Sequence, residues 1–316
     1  MKNWMGIWII ICFLGCNAER KSPAKNSQTA YDFYVQVLGI AQDAGYPQVN
    51  CKKSCCADLL ANNETGAYVS SIGLGKSSSK DYYIFDASPD FKYQLANMQK
   101  SMNTAELPSG IFLTHAHMGH YTGLMHLGRE AMGAQSIPVF GMPKMNAFLS
   151  DNGPWSQLVD FKNIALEELQ DSVTISLKDD LIVVPLQVPH RDEFSETVGY
   201  LINGPQKSLL FIPDIDKWDK WDLNILDLIR EVDFALLDGT FYRNGEIFGR
   251  DMSEIPHPFI EESVELFNQL EETDRSKIFF IHLNHTNPLL NEASEEYQAF
   301  QYSGYQIAKE GQIFAL

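Results

Sequence analysis

Within seven residues, "THAHMGH" (Thr114–His120) carries His115, His117 and His120. Neutral imidazoles at this density suit zinc, iron or manganese. The apolar run before them, "GIFLT", has strand character, so His115 and His117, two apart, leave it on one side. His120 follows one turn later, where a helix is expected to begin. Three later stretches again end an apolar run on a polar residue: His190 in "LQVPH", Asp214 in "LLFIPD", and His282 with His285 in "FFIHLNH". Residues at strand ends project beyond a sheet into the crevice where α/β proteins place their sites. The chain has 8 His and none precedes His115. Metal chemistry is therefore the expectation. A cation held by three imidazoles with an open position lowers the pKa of its water to about 7, and the hydroxide attacks an ester, amide or phosphodiester. His126, further along the expected helix, reads as an ordinary packing residue.

A second group of metal-ligating side chains lies upstream in "CKKSCC", which holds Cys51, Cys55 and Cys56. Three thiols cannot all pair, and adjacent cysteines bridge only with strain. A closed site that takes all three with one further ligand accounts for them better than a disulfide plus a free thiol.

The elements that must position these residues alternate along the chain. Strands are expected at "FYVQVLGIA", "AYVSSIGLG", "DYYIFDA", "GIFLT", "VTISL", "LIVVPLQV", "TVGYLI", "SLLFIP", "FALLDG" and "KIFFIH", with two short ones in "YQIA" and "QIFAL". Helices are expected at "DFKYQLANMQKS", "HYTGLMHLGREAM", "LNILDLIREV", "PFIEESVELFNQL" and "SEEYQAFQYSG". No composition break interrupts residues 31–316, so one α/β domain is expected there. Two sheets packed face to face with helices outside fit this order, and so does a doubly wound single sheet.

The opening of the chain reads as a separate device. Lys2, the apolar run Trp4–Phe13 and "FLGC" resemble a bacterial lipoprotein-type signal over residues 1–16, with a lipid anchor at Cys16; the alternative is an ordinary signal peptide cut elsewhere, since Phe13 and Leu14 match the usual lipoprotein cleavage motif only loosely. The run is too short to span a bilayer, which needs about 20 apolar residues. Residues 17–30 are polar and aperiodic, a tether. An exported, membrane-anchored protein of a bacterial cell envelope is the expectation. The formal net charge of −17, with 24 Lys and Arg scattered and no basic patch, argues against a nucleic-acid partner.

"THAHMGH", "VPH", "PD" and "IH", in this order, resemble the metallo-β-lactamase superfamily with its HxHxDH signature. "VLGIAQDAGYPQVNC", "IFDASPDFKYQL", "LLDGTFYRNGE" and "IHLNHTNPLL" resemble more closely the coenzyme PQQ biosynthesis protein B family, from Val37 to Leu290. The resemblance implies a four-layer αββα sandwich with metals at one edge of the two sheets. It implies that His115, His117 and His190 hold a first metal, that His120 and His282 belong to a second, and that Asp214 bridges them. Gly119 departs from the signature, which has Asp there. Asp43, in the loop "AQDAGYP" that borders the metal edge in this superfamily, is the candidate replacement; the alternative is a turn-forming Asp. Related phosphodiesterases carry a Cys-rich structural zinc site completed by a His three residues after the last active-site His. That His is His285 here, giving Cys51, Cys55, Cys56 and His285, although CxxxCC departs from the family's CxCxxC. His257, in "EIPHPFIEES", resembles a His of those relatives that reaches the active site as an acid or a substrate contact.

The expected function is an exported metal-dependent hydrolase acting on a small ester or phosphodiester. It would use one or two divalent metals, zinc first with iron or manganese as alternatives, and one structural zinc. Two other readings stand beside it. One is an iron-dependent oxidative enzyme in the manner of the PQQ protein, and the other a catalytically altered metal-binding lipoprotein.

Overall fold

The strands pair into two sheets because most are apolar on both faces, the pattern of a strand covered on both sides. The computed structural model describes Met1 and residues 32–316. The expected signal, apart from Met1, and the expected tether and anchor at Cys16 lie outside the described residues.

The strands are β1 Phe33–Gly39, β2 Ser71–Lys76, β3 Tyr82–Phe85, β4 Gly110–Phe112, β5 Ile137–Gly141, β6 Ile164–Glu168, β7 Ile175–Ser176, β8 Ile182–Gln187, β9 Val198–Asn203, β10 Ser208–Ile212, β11 Phe234–Asp238, β12 Ile278–Ile281, β13 Gln306–Ile307 and β14 Ile313–Ala315. One sheet has the order β14-β1-β2-β3-β4-β5-β6 and the other β13-β12-β11-β10-β9-β8-β7. Alternate residues of each strand serve different layers. Phe211 of β10 and Phe279 and Ile281 of β12 meet Val35, Val37, Phe85 and Phe112 of the first sheet in the central layer. Leu210, Ile212, Ile278 and Phe280 face outward onto helices Ile225–Glu231, Ile260–Phe267 and Glu295–Phe300. On the other side, Tyr34, Ile84 and Ile111 face helices Phe91–Met102, Pro143–Asp151 and Trp155–Asp160. Three apolar layers between four structural layers make the αββα sandwich and exclude the single doubly wound sheet.

Strand direction carries the site. β3 to β6 run parallel, as do β10 to β13, while β1 and β8 each reach the parallel set through two antiparallel pairings. The C-terminal ends of β1, β3 and β4 therefore share one edge of the first sheet. Those of β8, β10, β11 and β12 share one edge of the second. Near that edge Tyr200 of β9 donates its hydroxyl proton to the carbonyl of Leu113. Val198 N donates to Thr114 O at 3.1 Å, and Ala116 N to Ser195 Oγ at 2.8 Å. The histidine loop is thus tied to both sheets.

Three local outcomes differ from the sequence expectations. The helix expected after the histidines shortens to Met118–Tyr121 followed by a 3-10 turn, Thr122–Leu127. A Cβ on Gly123 would come 2.2 Å from Ser88 O, so the chain turns where the backbone must pass close. The strands β5 and β6 and the helices Pro143–Asp151 and Trp155–Asp160 had no sequence expectation. Pro138 interrupts the signal of β5, and β6 is a half-exposed edge strand. Helix Ser54–Asn62 takes in Cys55 and Cys56, in a stretch read only for its thiols.

Candidate metal centre

Asp214, 2% exposed beyond β10, lies at the middle of the sheet edge. Imidazole nitrogens of His115, His190 and His257 stand 3.2 Å from its carboxylate, and those of His117, His120 and His282 stand 3.9 Å away. Six histidines from four separate segments thus surround one buried carboxylate. Burial disfavours its charge, but His190, His257 and His282 together outweigh that and hold Asp214 well below the usual carboxylate range.

Two further carboxylates fix which nitrogen of each ring faces inward. Asp86, immediately after β3, accepts from Thr114 N at 2.8 Å and from Thr114 Oγ1 at 3.0 Å, and receives His120 Nδ1 at 2.7 Å. The single hydroxyl proton of Thr114 goes to Asp86. Its oxygen therefore accepts from His115 Nδ1, 3.0 Å away. The same device recurs on the second sheet. Thr240 Oγ1 donates to Asp238 at 2.7 Å and stands 2.9 Å from His282 Nδ1. In His115 and His282 the proton is thus on Nδ1 and the Nε2 lone pair points to the centre, as a metal ligand requires. In His120 burial opposes the charge, but Asp86 and Asp43 overcome it and raise the pKa well above the ordinary value, so its inward Nε2 gives up a proton when a cation takes its place. Burial lowers the pKa of His115 and His282, keeping both neutral. Asp86 and His282 both hold left-handed backbone, φ 67° and 64°, as do several residues away from the site.

The donor set fits a cation on one further observation. His120 Nε2, His190 Nε2, His282 Nε2 and Asp214 Oδ1 are buried and have no hydrogen-bond partner. His190 Nε2 and Asp214 Oδ1 are 3.2 Å apart, yet the directions do not make a hydrogen bond. Buried polar atoms are ordinarily paired, and these three imidazoles lie within 3.9 Å of the Asp214 carboxylate. His115, His117, His190 and Asp214 offer ligand atoms within 4.8 Å of one another, and so do Asp43, His120 and His282. Asp43 Oδ1 stands 3.4 Å from His120 Nε2. Burial opposes the charge of Asp43, but His120 and His282 keep it far below the usual range.

His257 occupies the far side of Asp214. Its Nδ1 donates to Asp238 at 2.8 Å. Burial pulls its pKa down, yet Asp238 and Asp214 overcome it and raise it to about 9. His126 stacks on Phe91 at 6.4 Å between ring centres and takes no part.

The second cluster also assembles. Cys51, Cys55, Cys56 and His285 bring their ligand atoms within 4.8 Å of one another, and none of the three cysteines is in a disulfide. The Cys55 and Cys56 sulfurs are 3.7 Å apart. Thiolates about 2.3 Å from a tetrahedral zinc stand ~3.8 Å from each other. Burial with the two neighbouring sulfurs pushes the Cys56 thiol up to about 12, so the cluster ionises fully only around a cation.

Sequence reasoning passed over Asp86, Asp238, Thr114 and Thr240. The signal was present: each Asp ends an apolar run, "YYIFD" and "FALLD", as Asp214 does. The isosteric change Asp86→Asn is expected to weaken cation affinity at His120 by roughly 10- to 100-fold, the usual cost of losing such a support. Competition with a chelating dye measures it, and unchanged affinity would show that Asp86 only packs.

Residues 82–283 match the Beta-lactamase superfamily domain family. The chain is 26% identical over 314 residues to a coenzyme PQQ synthesis protein B of Klebsiella pneumoniae (strain 342), covering 90% of this chain and 98% of that one. It is 25% identical over 309 residues to the protein of the same name from Acinetobacter baylyi, covering 88% and 98%. Among solved structures, the Zn(2+)-bound PqqB of Methylobacterium extorquens aligns with a TM-score of 0.74 at 23% identity, over 90% of this chain and 100% of that one. A diphosphatase from the PhnP family aligns with a TM-score of 0.64 at 17% identity, over 89% and 96%. With most of its length inside that family match and the sandwich shared with these structures, the chain belongs to the beta-lactamase superfamily.

Proposed function

We propose that the chain is a metal-dependent hydrolase of small esters, phosphodiesters first. The observation that carries the proposal is that His120 Nε2, His190 Nε2, His282 Nε2 and Asp214 Oδ1 are buried and unpartnered, with the three imidazoles within 3.9 Å of the Asp214 carboxylate. His115, His117 and His190 would hold one divalent cation and His120 and His282 a second, with Asp214 between them. Imidazole-rich donors place zinc first, with iron and manganese as alternatives. Bound there, such a cation supplies Lewis acidity toward an ester oxygen and lowers the pKa of a water to about 7.

The chain's own residues supply the rest. Asp214 sets the spacing of the imidazoles. Asp86 and Asp238, with Thr114 and Thr240, hold Nδ1 of His115, His120 and His282 and so turn each Nε2 inward. The donors that reach solvent are His117, 14% exposed, and Asp43, 17% exposed, so substrate approaches from their side. His257, anchored by Nδ1 to Asp238, retains a proton on its other nitrogen and is placed to give it to a leaving oxygen.

The test uses the purified full-length protein with aryl and alkyl phosphodiesters. Zinc in the preparation and ester cleavage are expected. His257→Gln is expected to slow alkyl esters, whose leaving oxygen needs a proton, by roughly 10²- to 10⁴-fold and to affect reactive aryl esters much less. Equal losses on both would remove the acid role.

A second reading, an iron-dependent oxidative enzyme, draws support from likeness along 98% of the length of proteins named for coenzyme PQQ synthesis. Iron in the purified protein, with oxygen uptake and no ester cleavage, would replace the first reading by the second.

A further inference from the structure

Gly119 stands where the family signature places a carboxylate, and its surroundings give the reason. It is the second residue of helix Met118–Tyr121 and is not among the residues with left-handed backbone, so its conformation does not call for glycine. Glycine inside a helix costs about 1 kcal/mol relative to alanine. What excludes a side chain is space. A Cβ at position 119 would lie 2.4 Å from Asp43 Oδ1 and 2.5 Å from Asp43 Cα.

Asp43 is driven into that space by its own loop. Gln42 N donates to Leu283 O at 2.9 Å, and Leu283 N to Ile40 O at 2.8 Å, fastening the loop beside His282. Gly45, with φ 72°, closes a tight turn by donating its N–H to Gln42 O at 2.8 Å. The Asp43 carboxylate is not used to make that turn. Oδ2 accepts from Gln42 Nε2 at 2.8 Å, and Oδ1 accepts from Gly119 N at 3.2 Å while standing 3.4 Å from the unpartnered His120 Nε2.

We infer that Asp43 and Gly119 are an exchanged pair: the carboxylate for the cation at His120 and His282 comes from the loop after β1, and position 119 is glycine to admit it. The inference rests on the reading that the histidine centre binds two divalent cations. It removes the need for a decayed site to explain Gly119. The ligand has changed its place in the chain while remaining at nearly the same place in the fold.

Zinc content separates the outcomes without reference to activity. Full-length protein is loaded with zinc, dialysed against metal-free buffer and assayed for zinc per chain, with circular dichroism reporting the fold. Asp43→Asn keeps the size and turn-forming capacity of the side chain and is expected to lose one zinc per chain. Gly119→Ala deletes no ligand, yet is expected to lose the same zinc, because its methyl group pushes the Asp43 loop away. Asp43→Asn carries the test alone where Gly119→Ala fails to fold. Equal zinc at the histidine centre in wild type and Asp43→Asn would overturn the exchange while leaving the metal reading intact. Wild type with zinc only at the cysteine cluster would overturn both.

Discussion

Asp214→Asn is expected to abolish two-metal binding and to cut hydrolysis by roughly a hundred- to several-thousand-fold, the rate equivalent of about 3–5 kcal/mol. The side chain keeps its shape, so the change is one of charge. Six imidazole rings come within 3.9 Å of this carboxylate. Among the described residues Asp214 lies near the imidazoles of both ligand groups, so it would offset the charge of cations held by either. Removing one partner from a buried charged arrangement typically costs about 3–5 kcal/mol, because the remaining charges stay buried and unpaired. Metal analysis should show at most one zinc left at the histidine centre, and circular dichroism a retained fold. Full metal content with an undiminished rate would mean that Asp214 is a packing residue.

The second large effect is expected at the other cluster. Cys51→Ser should release the zinc held with Cys55, Cys56 and His285 and lower Tm by on the order of 10 °C, corresponding to a few kcal/mol. The sandwich has three apolar layers of its own, so the domain should remain folded, unlike an isolated zinc finger. The effect should also travel. The segment with Cys51 is continuous with the Asp43 loop, and His285 follows His282 by three residues, with Leu283 bonded to both Ile40 and Gln42. The cation at His120 and His282 should therefore bind more weakly in Cys51→Ser, while that at His115, His117 and His190 is spared. An unchanged Tm with no zinc lost would return the three cysteines to a disulfide and a free thiol.

Much of the site was legible because of where strands end. In His190, Asp214 and His282 an apolar run stops on a polar residue, and the parallel direction of β10 to β12 brings two of those ends to one edge. Asp86 and Asp238 end apolar runs in the same way, but the sequence does not show that they stand behind the histidines, since that depends on hydrogen bonds through Thr114 and Thr240 made only in the fold. The Gly119–Asp43 relation was visible only as a missing carboxylate and a spare one. Their contact is made across 76 positions and depends on the close packing of two loops. Elements with a covered face on each side, such as β10 and β12, announced themselves by continuous Ile, Leu and Phe. Those between Arg129 and Ser172 did not: β6 lies at an edge with half its side chains in water, and β5 contains Pro138. The helix expected after His120 failed for a different reason, because its glycine at 123 is needed for the close approach to Ser88 rather than for helix.

Two cations are expected at the histidine edge and one at the cysteine cluster. Anomalous diffraction at the zinc absorption edge, from crystals of zinc-loaded full-length protein, tests this most directly. Three peaks are predicted: one among His115, His117, His190 and Asp214, one among Asp43, His120, His282 and Asp214, and one among Cys51, Cys55, Cys56 and His285. A map with no peak inside the ring of histidines would contradict the account.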